Sequence, residues 1–196
     1  MKFKYLTIIC FIFSLQYTFA QGYDCGWYGT KNVEQRNKIF PFNKAKRVLL
    51  ISYPFGFDLP VENDTLYTKT IVKKWDKQLE SFEGRYTIKE EVEINEAWVN
   101  MLSHTLINYT VKKYPTEEYG IPGDLCSYQP RNSILFLDES NSVICCLEIC
   151  FTCGHCYMKP DPDGINKFAN IHECQDRFDE LLFIFKKKGV TYGTQQ

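Results

Sequence analysis

The sequence predicts a single α+β domain, in which a small antiparallel sheet with a β-hairpin in the C-terminal half packs against two helices. The chain has 196 residues, 44% of them apolar, so it can bury one core of ordinary size. Its clearest element is a hairpin of consecutive strands, and its two helical patterns each have one apolar face, which favours this class. No repeat or low-complexity linker divides the chain, so residues 21–196 are predicted to form one domain.

The first 20 residues are predicted to be a secretory signal peptide. Lys2 and Lys4 give a positive start, an apolar stretch covers residues 6–15, and residues 18–20 (Thr-Phe-Ala) form a small-residue cleavage site. The apolar stretch is shorter than the roughly 20 residues that a membrane-spanning helix needs, and no later segment is apolar enough to span a membrane. We therefore expect an exported protein, periplasmic or secreted, whose mature chain begins at Gln21.

The charge balance and the cysteine count restrict which partners and which cellular compartments are expected. The chain has 24 acidic and 23 basic residues, and this balance argues against nucleic acid as a partner, because a basic surface is needed to displace phosphate counterions. One of the nine cysteines, Cys10, leaves with the predicted signal peptide. Eight cysteines remain, and an even number of cysteines is typical of an exported protein in a compartment where disulfides persist.

The first half of the chain is predicted to hold two strands and a helix. Residues 47–53 (RVLLISY) form an aliphatic, β-branched run typical of a buried strand, and residues 85–94 alternate as a half-buried strand does. Residues 21–46 are polar and irregular, with Cys25 as their only predicted attachment. Asn95 is expected to cap the helix. The apolar stripe of this helix comprises Trp98, Met101, Leu102, Thr105, Leu106 and Tyr109.

The predicted hairpin has strands over residues 133–138 and 143–151, joined by the turn-prone segment Glu-Ser-Asn-Ser. This loop places Ile134 opposite Leu147 and Phe136 opposite Cys145. The core face then carries Ile134, Phe136, Val143, Cys145, Leu147, Ile149 and Phe151. The other, less apolar face carries Arg131, Ser133, Leu135, Cys146, Glu148 and Cys150.

A connection over residues 152–164 follows, and then a long helix that ends before Gly189 with three lysines at its C-terminal end. Its predicted apolar stripe comprises Phe168, Ile171, Cys174, Phe178, Leu181, Leu182 and Phe185.

The cysteines at 146–156 support three hypotheses. The first is a disulfide framework, because the hairpin register brings the loop that carries Cys126 near Cys153 or Cys156, and Cys174 could reach Cys145. The second is a tetrahedral zinc site, since thiolates and imidazole are its usual ligands. The candidate ligands are Cys150, Cys153, Cys156, His155 and Cys126.

The third hypothesis is a redox-active dithiol. Cys153-Gly154-His155-Cys156 resembles the redox motif of the protein disulfide isomerases, and this resemblance implies a first thiol of lowered pKa. Pro160 and Pro162 end any helix soon after the motif, so a scaffold other than the thioredoxin fold is predicted. The candidate catalytic residues are Cys150, Cys153, Cys156, Arg131 and Glu148.

A broader segment resembles a group of uncharacterised exported bacterial proteins with a Cys-Tyr-x-Pro-Arg and Ile-Cys-Phe-x-Cys pattern. The matching residues run from Cys126 to Arg131, with Ser127 inserted, and from Ile149 to Cys153. The resemblance implies no activity, but it implies that Cys126, Arg131, Glu148, Cys150 and Cys153 act as a unit.

The first functional hypothesis is therefore an exported, cysteine-rich, disulfide-stabilised domain that binds or interacts, with no cofactor and with an unknown partner. The alternative is a thiol-redox or zinc-binding protein that uses the cysteines at 146–156.

Overall fold

The structure is a computed structural model that describes residues 24–54, 78–81, 84–113, 128–160 and 174–195. In these ranges the chain has the predicted α+β fold. The helices are α1 (Val33–Arg36), α2 (Glu96–Asn108) and α3 (Gln175–Lys187). The strands are β1 (Asp24–Gly26), β2 (Arg47–Ser52), β3 (Gln78–Ser81), β4 (Gly84–Thr87), β5 (Glu90–Glu93), β6 (Thr110–Lys113), β7 (Asn132–Leu137), β8 (Val143–Cys150) and β9 (His155–Lys159).

The central sheet is antiparallel throughout, in the order β5-β2-β7-β8-β9. Two further two-stranded sheets pair β1 with β6 and β3 with β4. The predicted strand over 85–94 is divided at residues 88–89, so that β4 and β5 belong to different sheets. The prediction for β2 is confirmed, and this strand lies inside the sheet with β5 and β7 on its two sides.

The predicted hairpin register is confirmed over most of β7 and β8. Ile134 pairs with Leu147 and Phe136 with Cys145. The register then shifts, so that Leu137 pairs with Val143. A shift of one residue reverses the faces of a strand, and Val143 therefore packs on the face opposite to the one predicted.

The main core lies between one face of the sheet and helices α2 and α3. Asn95 caps α2 as predicted, its side-chain oxygen accepting from the Trp98 amide at 3.3 Å. Leu102 and Leu106 of α2 and five apolar residues of α3 belong to this core. Met101 does not, because the buried side of α2 is centred on Leu102, Thr105 and Leu106 and Met101 is 41% exposed.

The opposite face of the sheet is buried as well, which corrects the prediction of a less apolar face. Its own side chains form a second cluster of buried apolar residues, consisting of Leu49, Ile51, Tyr53, Leu135, Leu137 and Cys146, with Ile88 and Val143 packed against them. Strands β2 and β7 are therefore enclosed on both faces. This explains why the run at 47–53 is apolar at almost every position rather than at alternate positions.

The N-terminal residues are more ordered than predicted. Helix α1 begins with a capping box between Asn32 and Gln35, and β1 adds a second attachment by pairing with β6. Cys25 forms a disulfide with Cys174, which lies just before α3. The bond that Cys174 could form with Cys145 is therefore not made, because Cys174 is bonded to Cys25 and Cys145 forms no disulfide.

The C-terminal helix ends as predicted, with Gly189 at a φ of +84°, a conformation that favours glycine. Phe168 and Ile171 lie outside the described residues. Beyond the helix, Glu90 accepts hydrogen bonds from Thr191 and from the Tyr192 amide. Burial alone would raise the pKa of Glu90, but these bonds and one from Ser52 outweigh it and leave the pKa below its usual value.

Candidate functional site: the β8–β9 hairpin

The predicted site residues gather around a second hairpin that the sequence did not predict. Residues 151–154 form a turn, and the segment expected to be a connection continues as β9, which pairs with β8. Gly154 takes the left-handed conformation that this turn requires, with a φ of +62°. The Cys-Gly-His-Cys segment thus joins two strands and does not lead into a helix.

The two cysteines of this segment differ in state. Cys153 is disulfide-bonded, and its partner lies outside the described residues, which account for every other cysteine except Cys10 and Cys126. Cys156 forms no disulfide and is 2% exposed in the main core. The two are therefore not bonded to each other in this structure, and their use as a redox pair stays a prediction.

Alternation along the two strands places six mostly polar side chains on the face of the hairpin that is opposite to the main core. In the register of β8 with β9, Cys150 lies opposite His155, Glu148 opposite Tyr157, and Cys146 opposite Lys159. Cross-strand neighbours of this kind have Cβ atoms roughly 4.5–5.5 Å apart. The hairpin therefore brings together three of the predicted site residues, namely Glu148, Cys150 and His155.

Glu148 is the acidic residue of this group, and only 5% of its side chain is exposed. The Lys159 ammonium lies 3.1 Å from its carboxylate and is itself 39% exposed. Sequence analysis placed Arg131 near Glu148 and missed Lys159, because β9 was not predicted. Arg131 is half-buried and lies immediately before β7, beside Gly193 of the C-terminal segment.

Two tyrosines, Tyr53 and Tyr128, lie next to these polar residues, and Tyr53 belongs to the second apolar cluster. Tyr53 shares a hydrogen bond of 2.9 Å with Ser133, which in turn bonds to the Cys146 side chain. The Tyr128 ring packs edge-on against Tyr157, with centroids 4.8 Å apart, and its buried hydroxyl finds no hydrogen-bond partner among the residues that the structure describes. Burial, and then the nearby Glu148 carboxylate, raise the pKa of Tyr128 far above its ordinary range, so the phenol stays neutral.

The buried thiols of Cys146 and Cys156 are poor nucleophiles in this environment. Burial, reinforced by the charge of Glu148, raises the pKa of Cys146 well above its usual value. Burial also raises the pKa of Cys156 to about 12, although the Arg177 charge opposes this. Because the thiolate is the reactive and metal-binding form, both cysteines are held in the inert form near neutral pH.

Within the part of the chain that the structure describes, no three His, Cys, Asp or Glu residues are grouped so that they could hold a metal ion. Cys126, one of the predicted ligands, lies outside that part. Zinc binding through Cys150, Cys153, Cys156, His155 and Cys126 therefore stays a prediction.

Four residues of this site were missed by sequence analysis: Tyr53, Tyr128, Tyr157 and Lys159. A signal for two of them was present, because the segment His-Cys-Tyr-Met-Lys alternates as a strand does. The prolines and glycine that follow it, which typically mark loops, obscured that signal.

No protein-family model, curated protein or solved structure matches this chain. Among the described helices, none has the length and apolar character needed to cross a membrane. Function must therefore be argued from the site and from the distribution of the cysteines.

Replacing Lys159 by methionine is expected to lower the free energy of unfolding by about 1–3 kcal/mol, because the buried Glu148 carboxylate loses its countercharge. The double variant Glu148→Gln/Lys159→Met should recover part of this loss, since the buried charge is then removed. Urea unfolding of both single variants and the double variant gives the coupling energy. Strictly additive losses would show that the pair contributes nothing.

Proposed function

We propose that this chain is an exported, disulfide-stabilised domain that binds or interacts with a partner and does not use its cysteines catalytically. The observation that carries the proposal is how the cysteines divide between oxidised and free. The oxidised cysteines tie peripheral segments to the sheet and helices, whereas the free ones are all buried.

The oxidised cysteines support export. The Cys25–Cys174 bond joins residues 149 positions apart and attaches β1 to the start of α3. Disulfides of this structural kind persist in oxidising compartments and are rare in the cytosol. Together with the predicted signal peptide, this favours a periplasmic or secreted location. For Cys153 we propose Cys126 as the partner, because Cys10, the other cysteine outside the described residues, belongs to the predicted signal peptide.

A binding role is supported by where apolar side chains are exposed. Of the six large apolar residues that are exposed in the described ranges, four belong to the N-terminal residues and α2. These four are Trp27, Tyr28, Val33 and Met101. Trp27 stacks on His104 of α2, and α1 packs against α2, so the exposed residues lie on neighbouring elements. Exposed apolar residues on neighbouring elements favour an interaction surface.

The decisive measurement is the intact mass of the purified protein after thiol alkylation, with peptide mapping and zinc analysis. In the folded protein we expect negligible labelling of the four free thiols, since they are buried. After denaturation without reductant these four should label, and mapping should identify Cys25–Cys174 and Cys126–Cys153. The N-terminal residue of the exported protein should be Gln21.

Three results would contradict the proposal in favour of the alternative. These are a Cys153–Cys156 bond, rapid labelling of Cys150 or Cys156 in the folded protein, and stoichiometric zinc. A denatured control with all disulfides reduced calibrates the labelling of every cysteine.

A further inference from the structure

The N-terminal strap, residues 24–31, lies across the C-terminal end of α2. Its first residues pair with β6 and carry the Cys25 disulfide. Further along, the Gly29 amide donates to the Asn108 carbonyl at 2.9 Å. A Cβ on Gly29 would lie 2.5 Å from the Asn108 Cα, so only glycine permits this close approach. The strap is therefore fitted to the end of α2 and not merely placed over it.

The Asn108 side chain holds the strap by two further bonds. Its Oδ1 accepts from the Lys31 amide at 3.2 Å, and its Nδ2 donates to the Lys31 carbonyl at 2.8 Å. A backbone amide can only donate and a carbonyl can only accept. These two bonds together determine which side-chain atom of Asn108 is oxygen and which is nitrogen.

The remaining N–H of Asn108 determines the protonation state of His104. The Asn108 Nδ2 lies 2.8 Å from the His104 Nδ1. Since this Nδ2 is a donor, the Nδ1 must accept, which requires a neutral imidazole with its proton on Nε2. The Trp27 ring stacks on the face of the His104 imidazole, with the two ring centroids 4.5 Å apart and the two ring planes inclined by 17°. One imidazole thus supports both the Asn108 amide and an aromatic residue of the strap.

We propose that His104 is a proton-sensitive clamp, and that its protonation releases residues 27–31 of the strap from α2. An imidazolium carries a hydrogen on Nδ1, which would face the hydrogens of the Asn108 Nδ2. Either the Asn108 amide turns, breaking both bonds to Lys31, or His104 leaves its place and Trp27 loses its stacking partner. Both outcomes loosen the same segment.

Charged groups of both signs surround His104. The elements around it carry Asp24, Tyr28, Lys31, Glu34, Arg36, Tyr109, Lys112, Asp176 and Arg177, the last two of which bond to Tyr109 at the end of α2. Burial and then the positive charge of Arg36 lower the pKa of His104. The stacked Trp27 ring acts in the opposite direction, because a cation–π contact favours an imidazolium.

The extent of release is limited by the attachments on either side. Cys25 remains bonded to Cys174, and Arg36 remains anchored in α2 through Ser103, at 3.0 Å, and Asn100. Arg36 also donates from its Nη1 to the Lys31 carbonyl at 2.8 Å, a bond that does not depend on His104. Movement is therefore greatest between Cys25 and Lys31, so the exposure of Trp27 and Tyr28 changes while the fold is retained.

The sign of the pH effect follows from the direction of the pKa shift. In the unfolded chain His104 titrates near its ordinary value of about 6.5, and in the folded clamp it titrates lower. The unfolded or released state therefore binds the proton more readily. The clamp is fully formed above the ordinary value, and it weakens as pH falls from there through the folded pKa.

Hydrogen exchange followed by nuclear magnetic resonance tests this directly. On lowering the pH from about 7.5 to about 5, the protection factors of the Gly29 and Lys31 amides should fall at least roughly tenfold. The Ile94 amide, bonded to the Val48 carbonyl at 3.0 Å in the sheet, serves as the internal control and should keep its protection. Nitrogen chemical shifts should show the Nε2–H form of His104 at the higher pH.

The matched variant is His104→Gln, whose side-chain oxygen can accept from Asn108 but does not titrate. Its strap protection should be independent of pH over this range, whereas His155→Gln should behave as the unaltered protein does. Unchanged protection of Gly29 and Lys31 in the unaltered protein, or an Nδ1–H form of His104 at pH 7.5, would overturn the proposal. Both of these measurements use the unaltered protein, so they test the proposal even if His104→Gln does not fold.

Discussion

Replacing Cys25 and Cys174 together by serine is expected to lower the free energy of unfolding by about 2–5 kcal/mol. The bond closes a loop of 149 positions, and loss of so long a cross-link frees much conformational entropy in the unfolded chain. In the folded state it attaches the short strand β1, whose three residues pair only with β6. Urea unfolding monitored by circular dichroism measures the loss.

The matched control is Cys145→Ser, which places the same hydroxyl at a free cysteine as deeply buried as Cys174. This control should cost about 1 kcal/mol, the cost of burying a polar group in place of a small apolar one. Reductant should destabilise the unaltered protein at least as much as the double substitution does. If the double variant lost no more stability than the control, the bond would not stabilise the fold.

Leu135→Ala is expected to cost about 2–5 kcal/mol, as much as a substitution in the main core. Leu135 is fully buried in the second apolar cluster, between Leu49 and Cys146 across the strands on either side. Its truncation removes apolar contacts and leaves a cavity that neighbouring strands cannot close. Denaturant unfolding, with the slope checked for unchanged two-state behaviour, measures the loss.

Two substitutions calibrate that result. Leu50→Ala removes an equally buried leucine from the helix-facing side, and it should cost about as much as Leu135→Ala. Met101→Ala truncates an exposed residue of the predicted stripe on α2 and should cost less than about 1 kcal/mol. A cost for Leu135→Ala as small as that for Met101→Ala would mean that the second cluster is not a core.

Several features that depend on neighbours along the chain were predicted correctly, although the short strands β6 and β9 were not predicted. The β7–β8 register follows from the turn at 138–142 and from alternating side chains, and Asn95 caps α2 through the amide three residues on. The end of α3 follows from Gly189. Where local prediction failed, the cause was also local: the register shift near the turn moved Val143 to the opposite face.

The candidate site was located only in part. Cys150 and Glu148 share a face of β8 as predicted, but His155 joins them only through the unpredicted strand β9, and Lys159, Tyr53 and Tyr128 were missed. These residues reach the site through β9, through β2 and from the chain just before β7. Which of these strands are neighbours is a property of the assembled sheet, and no pattern within one strand specifies it.

By itself the sequence determined the fold class, most of the hairpin register, the start of α2 and the C-terminal end of α3, because short-range backbone sterics and side-chain periodicity decide them. The tertiary structure alone decided that Cys25 meets Cys174 and that both sheet faces are buried. These features depend on elements whose order in space is set by the packing of the whole domain. Their free energies depend on burial and distance, which are defined only once the chain is folded.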